Sequence, residues 1–183
     1  MAKKLLPAVM MLLWVTGLHG VRAQEAPFGL SWGPVTTVRR PSMVDREGNI
    51  TALFYFRDQP LTSDADTQEI VLEVCKDEGL QQVIWISRPL SAAELPSRYE
   101  VIYQEGVRRY GHPRDGTRPQ TVLWPAGRTL LAIRKAAAGQ QRLIMIASGE
   151  QYERCSNGHE AATGHRAAVH IYELLDGPEG PQK

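Results

Sequence analysis

Glu69–Ser87, EIVLEVCKDEGLQQVIWIS, is the stretch whose reading decides the fold. Ile70, Leu72 and Val74 recur at every second residue and share one face of a strand, with Val71 and Cys75 on the other. Lys76-Asp77-Glu78-Gly79 suits a four-residue turn, with Gly79 where the backbone needs a positive φ. Beyond the turn, Val83 and Trp85 alternate with Ile84 and Ile86, so the second strand is apolar on both faces and belongs in the middle of a sheet. A helix over residues 64–78 competes with this hairpin, because Glu69, Glu73 and Lys76 have helical spacing and Gly79 would stop it. The hairpin is the preferred reading.

Working outward, Asn49–Arg57 is rich in β-formers and reads as a strand, and Phe28, Leu30 and Trp32 alternate in a short one ended by Gly33-Pro34. Residues 35–48 and 62–67 are polar and irregular. Residues 91–110 form the main helix: Leu95, Tyr99, Ile102, Gly106 and Tyr110 recur at intervals of three and four, and Ser91 with Glu94 fits a capping box. Pro96 offers a second starting point, since proline suits a first turn. Gly111 and Pro113 end the helix. After a loop at 112–120 come strands at 121–124, 129–135 and 142–148, the last apolar on both sides and again central. Residues 156–164 read as a loop and 167–175 as a last strand or short helix. The expected fold is α+β, with an antiparallel sheet of about six or seven strands and one main helix packed on one face.

The N-terminus sets the expected compartment. Lys3-Lys4, an apolar run over residues 5–20 and small residues at Val21 and Ala23 make the three-part pattern of a secretory signal peptide, residues 1–23. The single domain would then be 24–175, and 176–183, with recurring Gly and Pro, a disordered tail. Periplasmic or secreted localisation follows. The chain has two cysteines, Cys75 and Cys155, and in an oxidising compartment they are expected to form a disulfide. The formal charge is +1 for the whole chain, which gives no electrostatic reason for nucleic acid as a partner. After signal cleavage no stretch is long and apolar enough to span a bilayer.

The F-G-x-x-W-G run at Phe28–Gly33 resembles the opening of a loosely related group of small exported bacterial proteins, and Cys75–Gln81 is similar to sequences of that group from soil proteobacteria. The resemblance implies export and no particular activity.

Candidate chemistry is sparse. Cys155-x3-His159-x5-His165-x4-His170 holds the residue types that bind zinc or copper, although its spacing matches no zinc finger and Cys75 competes for Cys155. Arg108, Arg109, Arg114 and Arg118 form the densest basic stretch and could bind an anionic partner, or simply mark a solvated helix end. Asp64, Asp66 and Glu69 read as a solvated acidic turn, and the tryptophans of the strands as core. Ser148 and Ser156 lack a nucleophile-elbow context, and no phosphate-cradling glycine loop occurs, so no catalytic residue or cofactor is expected. The expected function is a non-catalytic binding or interaction module acting on a periplasmic protein or envelope component. The alternative is a metal-binding protein or enzyme that uses His159, His165 and His170.

Overall fold

The computed structural model describes residues 25–62, 64–116 and 119–166. The signal-like segment 1–23, the final element at 167–175 and the tail lie outside them. The elements are β1 (Met43–Glu47), β2 (Ile50–Phe56), β3 (Thr67–Cys75), β4 (Gly79–Ser87), α1 (Leu95–Tyr110), β5 (Arg114–Asp115), β6 (Thr121–Trp124), β7 (Thr129–Lys135), β8 (Gln141–Ser148) and α2 (Tyr152–Thr163). All eight strands join one antiparallel sheet in the order β1-β2-β3-β4-β8-β7-β6-β5.

The β3–β4 hairpin forms as its periodicity dictates, and no helix occupies residues 67–75. Gly79 has φ +71° and sits at the turn. A bulge between Glu73 and Val74 leaves Gln81 unpaired in the ladder. The register puts Leu72 opposite Val83 and Val71 opposite Ile84, so each apolar set meets its own kind. β4 and β8 are the two central strands.

The sheet has eight strands rather than six or seven. The additions are β1 and β5, both read as irregular from the sequence. Every residue of β1 and β5 is exposed, so neither carries the buried-to-exposed alternation that marks a strand. β1 is fixed by its turn: Glu47 pairs with Ile50 across Gly48-Asn49, and Gly48 takes φ +53°.

One face of the sheet carries the main core, which includes Tyr55, Leu72, Trp85, Trp124, Leu131 and Leu143. Each such side chain contributes about 2–3 kcal/mol by leaving water. α1 lies across this face through Tyr99, Ile102, Tyr103 and Tyr110. Gly106 admits the Trp124 ring, because a Cβ there would come within 2.5 Å of it. α1 begins at Leu95 rather than at residue 91. The capping box forms all the same, with the Glu94 carboxylate accepting the Ser91 N–H at 2.9 Å and the Ser91 hydroxyl accepting the Glu94 N–H at 3.3 Å. Pro96 then falls in the first turn.

The N-terminal segment is not the expected strand. Pro27–Gly29 is a 3-10 turn in which Phe28 has φ +62°, and only Gly33 bridges to Leu80. Phe28, Leu30 and Trp32 still pack against the main core, as a strap. A Cβ on Gly79 would lie 2.1 Å from the Gly33 carbonyl oxygen, so glycine is what lets the strap cross the hairpin turn.

The opposite face carries Val71, Ile84, Ile86, Ala132, Ile144 and Ile146. Glu73 and Gln82, opposite one another in the register, lie on this face and are buried. At its β2–β3 end, Ile50 and Cys75 meet Cys155 of α2. The expected loop over 156–164 is therefore mostly helix. Asn157 and Gly158 are poor helix formers and hid it; tertiary fastening at Cys155 overrides their propensity.

Candidate metal centre

The expected disulfide is present. Cys75 at the end of β3 is bonded to Cys155 in α2, and both are buried. Cys155 is therefore lost to the histidines as a ligand. It also fixes which face of α2 meets the protein. His159 lies one turn further on that face, since residues four apart in a helix are stacked. The Asn49 amide donates to the Cys155 carbonyl at 3.1 Å, which holds the β1–β2 turn beneath the helix.

His159 is 3% exposed and faces Glu47, the last residue of β1, with Nε2 3.5 Å from the carboxylate. Gly48 is the contact point: a Cβ there would lie 3.1 Å from His159 Nδ1 and 3.0 Å from the Thr163 methyl. Past the helix, Gly164 takes φ +84° and its N–H donates to the Glu160 carbonyl at 2.8 Å. That reversal returns His165 to the same carboxylate, 3.1 Å from Nε2 to Oε1. The Thr163 hydroxyl lies 2.9 Å from the His159 carbonyl and 3.0 Å from the His165 carbonyl, tying the two together. The imidazoles meet edge to face with centroids 5.4 Å apart.

Glu47, His159 and His165 thus offer three donor atoms within 4.8 Å of one another. Donors around a tetrahedral zinc ion, each about 2.0–2.1 Å from the metal, are about 3.3 Å apart. The separations of 3.5 Å and 3.1 Å are near that spacing but run to different carboxylate oxygens, Oε2 for His159 and Oε1 for His165. His159 Nδ1 is buried with no hydrogen-bond partner among the described residues. With Nε2 turned to Glu47, this ring carries an unmet nitrogen of the kind that costs about 1–3 kcal/mol. An ion held at Nε2 would leave Nδ1 unmet as well, since a metal-bound imidazole normally donates its other N–H to a protein acceptor. Glu47 and His165 are 55% and 43% exposed at their side chains, so an ion could enter from solvent and keep an open position.

His170 lies outside the described residues. Glu47 was missed by the sequence reading, because it stands in a strand with no periodic signal more than a hundred residues before the histidines. Its position beside a Gly-Asn turn was the available clue.

No family model, curated protein or solved structure matches this chain. Its own geometry is what bears on function.

The other candidates are engaged elsewhere. Arg108 and Arg109 both bind the Glu105 carboxylate. Their hydrogen bonds, Arg108 first, hold Glu105 down at about 2. Arg114 stands in β5 and Arg118 lies outside the described residues, so the four arginines are not brought together by described contacts. Asp66 is not part of a solvated turn. It is buried and paired with Arg88 at 3.0 Å, which the Thr67–Ser87 pairing brings beside it, and with Arg98 of α1 at 2.6 Å. Trp85 and Trp124 are core, and the Trp85 indole donates to the Thr67 hydroxyl at 2.8 Å. Ser148 accepts from the Gln82 amide at 3.0 Å. A groove of about 440 Å³ between α1 and β6, lined by Tyr99, Asp115, Thr121, Val122 and Ile133, brings one carboxylate beside one phenol-bearing residue.

Proposed function

We propose that this is an exported, non-catalytic binding protein whose ligand is a divalent transition-metal ion, zinc or copper(II), held by Glu47, His159 and His165. The observation that carries the reading is the convergence of two imidazole Nε2 atoms on one carboxylate, at 3.5 and 3.1 Å, from chain segments far apart in sequence. Imidazole nitrogen with one carboxylate oxygen is a donor set suited to these ions rather than to calcium or magnesium, which take oxygen. The export half of the reading rests on the signal-like residues 1–23 and agrees with the disulfide. Among the described residues no helix is long and apolar enough to cross a membrane. A periplasmic protein or an envelope component is the proposed partner class.

Calorimetric titration of untagged residues 24–183 with zinc chloride tests this. One equivalent should bind saturably, and His159→Ala, His165→Ala and Glu47→Gln should each weaken binding at least about tenfold. Heats that do not saturate, or that are the same for the wild type and the double histidine variant, would overturn the reading.

A further inference from the structure

We propose that ion binding at Glu47, His159 and His165 is reciprocally linked to the Cys75–Cys155 disulfide through α2: the bound ion protects the disulfide from reduction, and the disulfide tightens the ion site. This rests on the metal reading above and adds its regulation.

α2 is fastened to the sheet at two points along one face. Near its start Cys155 is bonded to Cys75, with both sulfurs shut away at 0% and 2% residue exposure. One turn later, about 5.4 Å along the axis, His159 meets Glu47, and His165 follows at the helix end. Between the two, Asn49 donates to the Cys155 carbonyl from the turn that carries Glu47 and Gly48. The ligands are divided between the β1–β2 turn and α2, so an ion can hold all three only while α2 is docked.

A reductant, in turn, cannot reach buried sulfurs until α2 lifts. Lifting separates the histidines from Glu47 as well. The ion and the reductant therefore select opposite positions of one element, which is the physical content of a linkage. A ligand that binds only the docked state suppresses opening by a factor of 1 + [ion]/Kd. At a hundredfold excess over Kd the opening, and with it reduction, should slow about 100-fold. In the other direction, loss of the disulfide frees the start of α2, so the ion must also meet the cost of ordering the helix.

The test uses tris(2-carboxyethyl)phosphine on the mature protein under native conditions. The phosphine attacks one sulfur and the S–S bond breaks. One water then gives its oxygen to phosphorus and its two protons to the thiolates, leaving two thiols and a phosphine oxide. Reduction is followed by alkylation and mass spectrometry, with zinc at about a hundred times the titrated Kd or with chelator. The wild type should slow about 100-fold with zinc and His165→Ala should slow little. The variant also absorbs any direct effect of zinc on the phosphine. As a separate equilibrium measurement, Cys75→Ser/Cys155→Ser, which lacks the anchor at the start of α2, should bind zinc at least about tenfold more weakly. Should that variant fail to fold, the reduction kinetics alone decide. Equal rates with and without zinc, in a protein whose titration saturates, would overturn the linkage and leave the metal reading standing. A titration without saturation overturns both.

Discussion

Glu73→Gln should stabilise the protein, and by an amount that depends on pH. Glu73 lies on the α2 side of the sheet at 6% exposure, opposite Gln82, and its Oε2 has no partner among the described residues. Burial alone raises its carboxyl from 4.5 to about 7. The folded chain therefore keeps a proton there that the unfolded chain has already released. Below pH 4.5 both states are protonated and the residue costs nothing by this route. Between pH 4.5 and 7 the unfolded state ionises first, so wild-type stability falls as pH rises. Above pH 7 the loss is complete. A gap of about 2.5 pH units at 1.36 kcal/mol each amounts to about 3 kcal/mol. Glutamine is neutral throughout, and its amide can donate towards Gln82 Oε1, which also lacks a partner among the described residues. Urea unfolding of the disulfide-intact wild type and variant at pH 4.5, 6 and 8 measures the difference. It should be near zero at the lowest pH and grow to about 3 kcal/mol at the highest. Glu94 and Glu105, both held down at about 2 by arginine hydrogen bonds, lose their contributions only as pH falls from 4.5 towards 2, and they cancel between the two proteins. Parallel pH profiles, or a variant less stable at pH 8, would refute the reasoning.

Two further substitutions probe the packing. Gly79→Ala forces a Cβ to within 2.1 Å of the Gly33 carbonyl at a residue with φ +71°, and should cost on the order of 3 kcal/mol in urea unfolding; a loss below about 1 kcal/mol would show that the strap does not depend on this crossing. Gly106→Ala sets a methyl 2.5 Å from the Trp124 ring. It should destabilise by about 1–3 kcal/mol and alter the near-ultraviolet circular dichroism, although alanine in a helix otherwise contributes about 1 kcal/mol in its favour. A more stable variant would mean that α1 packs differently.

Much of the fold was legible in local pattern. Alternation placed β3, and the doubly apolar runs at Val83–Ile86 and Leu143–Ala147 identified the two central strands, β4 and β8. Ser91, Glu94 and Pro96 marked the start of α1, each in its own role. The cysteine count foretold the disulfide. These features are short-range: period, cap and turn chemistry are written within a few residues of where they act. β1 and α2 were not legible, because β1 is exposed along its whole length and α2 contains Ser-Asn-Gly in its middle. Both owe their form to partners elsewhere in the chain.

The candidate site divides the same way. From the sequence came the residue types, His159 and His165 near Cys155, and the competition for that cysteine. Only the folded chain could supply Glu47, because the carboxylate and the imidazoles are joined by 112 and 118 positions of chain and meet through a strand turn lying under a disulfide-pinned helix. A histidine's neighbours in sequence set where it sits on α2. What it faces is decided by the sheet order, which puts β2 beside β3 and so carries the β1–β2 turn to the same end of the sheet as Cys75.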